Sequence, residues 1–284
     1  MANTNLSGHS GCKIILVENE GKKPFVRKYS SGVEYNERLK TQCNKQMSFM
    51  SDKVKAPKVY DTGYTDDGIF YFDMEYVQGI TLAKYMTTME VNRVRGMVND
   101  IVNNIVCKTN ERNEKALKVF SDKLSDLQNK AKKINNQFAL DSIAKLKEYD
   151  WSRYTTSFCH GDLTLENIII SNNQLYLIDF LDSFYNSWVL DIGKLLQDVQ
   201  TMWSYRNTEN ISTNTIIKMI VFRDILLDEI CHGDMNIYSD VYHALLLHLV
   251  RIYPYAKDKK TIDYLDRRTT EVLHIIKECE RKIG

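Results

Sequence analysis

Three side chains near the middle of this chain have the types and spacing for catalysis. Residues 159–167 read CHGDLTLEN, with four residues between Asp162 and Asn167, and two runs of β-forming residues joined by SNN then lead to Asp179. A carboxylate placed against a hydroxyl can accept or orient its proton, which contributes about 10²–10⁴-fold to a rate. An amide oxygen and a second carboxylate are hard donors of the kind that bind Mg2+. A base combined with such donors suits phosphoryl transfer, a reaction that needs positioning and charge neutralisation more than covalent chemistry. A His-Gly-Asp triplet alone has other readings: an acid/base site, a metal site or an ordinary turn.

The triplet occurs twice, and the copies differ. In the first, His160-Gly-Asp162, four residues, Asn167, a strand, a turn, a strand and Asp179-Phe180 follow one another. That order matches the catalytic-loop pattern His-x-Asp-x-x-x-x-Asn of protein kinases, with Asp179-Phe180 where Asp-Phe-Gly would stand. The second copy, CHGDMNIYS at 231–239, has Ser239 where the pattern wants Asn, and no strand pair or Asp-Phe follows. It comes directly after the helical stretch IVFRDILLDEI, so its Gly233 and Asp234 read as helix-stop and turn residues.

The element that must position the first set is a β-hairpin: NIIIS, the SNN turn, and QLYLIDF, with an acidic group before the first strand and another after the second. The region before it divides in two. Strands are expected at 12–18, 24–30, 58–65 and 68–77, with a turn at NEGKK and one helix over 32–50 that aligns Leu39, Cys43, Gln46, Phe49 and Met50. After Gly79 the pattern becomes helical, over 81–86, 90–107 and a stripe through Leu117, Phe120, Leu124, Leu127, Ala131, Ile134 and Phe138. That stripe, with lysines crowding its other positions, reads either as a dimerising coiled coil or as an amphipathic helix lying on its own domain, and three heptads is short for the former. From Val189 to the end the pattern is mostly helical.

Bulk properties exclude several classes. The 284 residues hold 43% hydrophobic side chains, enough for one large domain or two lobes. Lys plus Arg is 38 against 37 for Asp plus Glu, a balance that gives no support for a nucleic-acid partner. The 6 cysteines form no Cys-x-x-Cys pair, which argues against structural zinc and disulfide frameworks. No apolar run approaches membrane-spanning length and the first residues lack the apolar centre of a signal peptide, so a cytoplasmic protein with no membrane partner is expected.

Taken together, HGDLTLENIII…LYLIDF, the hinge-like FDMEYVQGITL at 72–82 and LDIGKL at 190–195 resemble the aminoglycoside phosphotransferase and choline kinase family, the small-molecule relatives of protein kinases. The resemblance spans most of the chain. It implies an α+β, bilobal protein-kinase-like fold: a small β-rich N-lobe with one helix (1–77, nucleotide-binding, ending in the hinge) and a larger, mainly helical C-lobe (78–284) carrying the catalytic β-hairpin. It implies ATP and Mg2+ as cofactors, Asp162 as catalytic base, and Asn167 and Asp179 as metal ligands. His160 would brace the loop, and Asp191 would hydrogen-bond within the helical lobe without binding metal. Lys28, in FVRK, stands where the family's phosphate-binding lysine sits, while alternation turns Arg27 the other way, a choice that a register slip would reverse. Residues 5–13, NLSGHSGCK, would be the turn over the phosphates or an unremarkable hairpin tip. Adenine would be read by main-chain groups at Glu75 to Val77. In this family an acid on the next helix holds the lysine; Glu34 and Glu37 come early for that, Glu37 is a weak candidate, and Gln42 and Gln46 occupy the deeper turns.

The acceptor is less legible. Protein kinases seat a peptide with a long segment ending in Ala-Pro-Glu, and LDSFYNSWVLDIGKL has none, which argues for a small alcohol. Asp182, Tyr185, Trp188, Trp203 and Tyr205 would hold a cationic amine or stack on a sugar, or else serve as packing residues. The reading is a kinase of a sugar or amino alcohol such as choline or ethanolamine, with a surface-polymer precursor as one form. The alternatives are an aminoglycoside kinase, and a pseudokinase or scaffold that dimerises through 117–138; a homodimer through that stripe is the less favoured reading.

Overall fold

The computed structural model describes residues 2–6, 11–106, 108–109 and 115–283. The fold is α+β and divides into two compact units: residues up to Leu82 together with Asn167–Asp182, and Ala83–Glu166 together with the chain from Ser183 onward.

The first unit contains two sheets and one long helix. Strands β1 (Ala2–Leu6), β2 (Lys13–Glu18) and β3 (Phe25–Tyr29) precede helix α1 (Asn36–Ser48); β4 (Val54–Lys55), β5 (Val59–Tyr64), β6 (Phe70–Glu75) and β7 (Ile80–Thr81) follow, and β8 (Ile168–Ser171) and β9 (Gln174–Leu177) form the later hairpin. The larger sheet is antiparallel in the order β1-β2-β3-β6-β5, and the smaller runs β4-β9-β8-β7. β1 was not anticipated: it pairs Leu6 with Ile14, and it flanks the expected glycine turn, whose tip at 7–10 lies outside the described residues. The sequence expectation placed all of 78–284 in one lobe. The hairpin instead packs with the strand-rich unit, because β4 pairs in parallel with β9 and β7 with β8.

Alternation along β3 decides which side chains enter the core of this unit. Val26 and Lys28 are buried on one face, and Arg27 lies on the other, where it forms two bonds of 2.6 and 2.7 Å to Asp73, its cross-strand partner on β6. Leu39 and Cys43 of α1 pack against Phe70, Phe72 and Cys12.

The second unit is helical: α2 (Leu82–Thr88), α3 (Val94–Ile105), α4 (Lys115–Ile134), α5 (Gln137–Glu148), α6 (Trp188–Val199), α7 (Thr213–Cys231), α8 (Met235–Val250) and α9 (Lys259–Ile283). The expected helix over 90–107 is a 3-10 turn followed by α3, and Cys107 lies outside the described residues. α6 and α8 form the centre. A Cβ on Gly193 would stand 2.7 Å from the Ala244 Cβ, so this close helix crossing requires glycine. Among the described residues no helix is long and apolar enough to cross a membrane.

The stripe at 117–138 is not one helix. Asn135 adopts a left-handed conformation and Asn136 caps α5 through Ala139 N, so Phe138 belongs to a separate helix. Phe120, Leu124, Leu127 and Ala131 are buried within the chain, whereas Leu117, Ile134 and Phe138 are exposed. Phe120 stacks on Trp151 with ring centroids 4.2 Å apart and meets Tyr154, Phe184 and Tyr185 edge-on or tilted. The middle of the stripe is therefore core, and Phe120→Ala should lower unfolding stability by about 3–5 kcal/mol in a urea titration.

Two imidazoles in this unit are buried. His243 donates from Nδ1 to the Ser239 carbonyl at 2.8 Å and stacks on Tyr149, and burial pushes its pKa down to about 4. The unfolded chain then binds a proton that the folded chain refuses between the ordinary histidine value and about 4, so stability falls as pH drops through that window. Asp198 has the opposite sign, since burial lifts it to about 6 and the folded state holds its proton longer. His243→Gln should flatten the acid limb of a stability–pH curve by roughly 3 kcal/mol relative to wild type at pH 4, read by denaturant titration.

Candidate catalytic site

The candidate groups divide between the units: Lys28, Asn167 and Asp179 stand in the first, and Asp162 in the second.

In the first unit the hairpin carries two of them. The Asn167 carbonyl accepts the Ile178 N–H at 3.0 Å, which ties the two ends of the hairpin together. Asp179 leaves β9 with φ 59°, a left-handed conformation uncommon for a residue with a Cβ and tolerated best by Asp and Asn. Such outliers cluster at functional sites. Phe180 is buried and packs on Phe49 of the first unit, which anchors the backbone immediately after Asp179.

Lys28 reaches Asp179 from β3. Its ammonium lies 2.5 Å from Asp179 Oδ1 and 3.3 Å from Gln42 Oε1. The residue is 2% exposed, and a buried ammonium needs such partners because desolvation otherwise disfavours the charge. Strand alternation thus selects Lys28 over Arg27. The weak candidate for its helical partner is corrected: Glu37 pairs with Lys40 at 2.5 Å on the surface, and the α1 residue at Lys28 is Gln42, itself oriented by donating to the Tyr35 hydroxyl at 3.0 Å. The reason is helical phase. Gln42 faces the sheet beside Leu39 and Cys43, while Glu37 lies in the first turn and points to solvent.

At the hinge-like segment the Glu75 N–H donates to the Lys58 carbonyl at 2.8 Å, so it is already used. Among the described residues no hydrogen bond engages the main chain of Tyr76 or Val77. Those are the groups an adenine edge would meet.

In the second unit, Asp162 sits on a loop held by one face of α6. Asp191 accepts the His160 N–H at 2.5 Å and the Gly161 N–H at 2.8 Å. Asp198 accepts the Leu165 N–H at 2.7 Å and, on its other oxygen, the Ser204 N–H and hydroxyl. These bonds partly oppose the burial that raises Asp198. His160 is fully buried and its Nδ1 accepts the Asp162 N–H at 3.3 Å, while Gly161 takes the positive φ of 94° that the tight turn demands. Between the two clamps, Lys194 places its ammonium 3.0 Å from Asp162 Oδ1. Burial pushes the Asp162 carboxyl up, but Lys194, with His160 and Arg251, outweighs it and the net shift is downward. Asp162 is therefore an anionic acceptor at neutral pH.

Sequence reasoning missed Lys194. The signal was present, because Asp191, Lys194 and Asp198 follow i, i+3, i+7 spacing and so share one helix face.

Among the described residues no group of three or more His, Cys, Asp or Glu side chains could hold a metal. That donor set still fits Mg2+, which usually takes one or two carboxylates and fills the remaining positions with phosphate and water. Asn167 and Asp179, on the tied ends of the hairpin, would hold it.

The aromatic acceptor candidates are packing residues. Tyr185 donates to the Tyr154 carbonyl and Tyr205 to the Ala83 carbonyl, Trp188 is buried, and Trp203 carries Arg206 over its ring at 3.9 Å. Asp182 faces Arg38 at 3.9 Å. The second Cys-His-Gly-Asp is a turn. α7 ends at Cys231, His232 and Gly233 take positive φ, and Asp234 caps α8 by accepting the Asn236 N–H at 2.8 Å.

A family model described as the phosphotransferase enzyme family (APH) matches residues 7–212. The chain belongs to this family. Among solved structures it is similar to a thermostable mutant of aminoglycoside phosphotransferase APH(4)-Ia in ternary complex with AMP-PNP and hygromycin B, at 12% identity and TM-score 0.66 over 96% of this chain and 93% of that one. It is also similar to the amicoumacin kinase hAmiN bound to AMP-PNP, Ca2+ and Ami, at 15% identity and TM-score 0.58 over 95% and 87%. A third is the Plasmodium vivax ethanolamine kinase, at 13% identity and TM-score 0.57 over 98% and 84%. At these identities the likenesses show the fold. No curated protein matches the chain. Family and fold together make it a small-molecule kinase that binds ATP.

Because Asn is as good a helix cap as Asp, Asp234→Asn should leave turnover and stability near wild type, whereas Asp234→Ala should lower stability by about 1 kcal/mol with turnover unchanged. Denaturant titration and an ADP-release assay on the same preparations would check both.

Proposed function

We propose that this chain is an ATP- and Mg2+-dependent kinase that phosphorylates a hydroxyl of a small molecule, a sugar or amino alcohol. The observation that carries the reading is the ion pair between Lys28, buried on β3, and Asp179, left-handed at the end of β9. It joins a cation suited to α- and β-phosphates to a carboxylate suited to the metal. In the nucleotide-bound enzyme Lys28 pairs with the phosphates, and Asn167 and Asp179 hold Mg2+. The metal supplies neutralisation of charge on the phosphates. The unpartnered main chain at Tyr76 and Val77 takes the adenine edge, with Glu75 contributing position only.

Asp162 orients the acceptor hydroxyl and receives its proton. Lys194 keeps that carboxylate ionised and aimed. His160, Asp191 and Asp198 set the loop and touch no substrate. A second reading, an aminoglycoside kinase, is favoured by the neighbour solved with hygromycin B.

Asp162→Asn should retain MgATP binding while turnover falls by about 10²–10⁴-fold, since the base acts in the transition state. Asp179→Ala should abolish the Mg2+-dependent part of the thermal stabilisation by ATP. Full turnover in the first variant would remove Asp162 from its role, and no Mg2+-dependent stabilisation of the wild type would sink the nucleotide site.

A further inference from the structure

Only one of the two partners of Lys28 carries charge. Its ammonium meets Asp179 Oδ1 at 2.5 Å and the neutral Gln42 Oε1 at 3.3 Å, and among the described residues no second carboxylate pairs with it. Lys28 and Gln42 are both buried, so water does little to replace that one anion. Asp179 is the open member of the pair: 26% of its side chain is accessible, against 3% for Lys28. A ligand can therefore reach the carboxylate while the ammonium stays sealed.

Gln42 is fixed in its neutral role. Its amide nitrogen donates to the Tyr35 hydroxyl at 3.0 Å, which turns its oxygen to Lys28. α1 also grips the chain just beyond Asp179. Lys45 donates to the Leu181 carbonyl at 2.8 Å, Arg38 faces Asp182 at 3.9 Å, and Phe49, which ends the helix, packs on Phe180 with ring centroids 5.6 Å apart. The backbone is thus held on both sides of the ion pair, and Asp179 changes partners by turning its side chain.

One carboxylate then has to serve two cations. If Asp179 turns to a divalent metal alone, a sealed ammonium is left with an uncharged amide, which is costly. If Lys28 turns to a polyphosphate alone, Asp179 is left as an anion beside other anions, which repel it. When metal and phosphates arrive together, every charge has a partner.

We infer that Gln42 is a positioning residue that couples metal binding to nucleotide binding. By giving Lys28 no second anion, it keeps Asp179 paired in the free enzyme and holds metal affinity low until phosphates engage Lys28. This rests on the nucleotide-site reading, in which Asn167 and Asp179 hold Mg2+, and adds the energetic link between the two ligands. The link is reciprocal: nucleotide raises metal affinity by the same factor by which metal raises nucleotide affinity.

The test replaces the amide by a carboxylate on a side chain of equal length. Gln42→Glu gives Lys28 its own anion and releases Asp179. Mn2+ titrated into the full-length, nucleotide-free protein, with the unbound ion followed by electron paramagnetic resonance, should bind Gln42→Glu at least about tenfold more tightly than wild type. The factor by which AMP-PNP raises Mn2+ affinity should shrink by about the same amount. Gln42→Leu, which removes the oxygen and adds no charge, should bind Mn2+ no more tightly than wild type, whereas a merely structural role would move both variants alike. Adding Asp179→Ala to Gln42→Glu should erase the gain. A gain that survives in that double variant puts the metal on the new glutamate and overturns the inference, as does equal Mn2+ affinity in wild type and Gln42→Glu; both outcomes leave the kinase reading intact. Wild type that binds Mn2+ equally well with and without AMP-PNP overturns it even if Gln42→Glu does not fold. Failure of MgATP to stabilise wild type removes the nucleotide-site reading and this inference together.

Discussion

A lysine ammonium with almost no solvent must find an anion, and in the first unit it finds Asp179. That requirement links elements far apart in the chain. Lys28 has to fall on the inner face of β3, which sets the register with β6, and Asp179 has to leave β9 in a left-handed conformation to meet it. The short parallel pairing of β4 with β9 and the packing of Phe180 on Phe49 hold the strand end where the pair can form. Gln42 completes the arrangement with a neutral oxygen, so the lysine is bound to one carboxylate and remains available to a stronger anion such as a polyphosphate.

The second unit solves a different problem, the fixation of an irregular loop. A loop that carries a reactive carboxylate must satisfy its own amides away from water. α6 does this with Asp191 and Asp198, and uses the turn between them for Lys194. Three charges on one face of a buried helix therefore divide the work: two bind backbone and one sets the ionisation of Asp162. The close crossing of α6 with α8 at Gly193 packs that helix tightly in the centre of the unit.

The net charge of the chain is close to zero, yet cations from α4, α6 and α8 line one recess. Overall composition averages such a feature away. The aromatic residues near the hairpin, which in isolation suggest a cage for an amine, are consumed by packing and by stacking with arginine and lysine side chains.

Local spacing and periodicity were readable from the residues alone. Asp162, Asn167 and Asp179 stand out by spacing, the hairpin by its SNN turn, Lys28 over Arg27 by the two-residue period of a strand, and the second Cys-His-Gly-Asp as a turn because no strand pair follows it. Each of these depends on neighbours within a few positions. Tertiary structure decided what depends on distant partners. Gln42 replaces a glutamate beside Lys28 because helical phase against the sheet selects it. β4 joins β9 across the chain, and the 117–138 stripe breaks at a left-handed Asn135, with its centre buried under Trp151 and Tyr154. The recess lined by Lys123, Lys194 and His248 draws on helices whose positions no pattern relates, since only packing sets where such neighbours end.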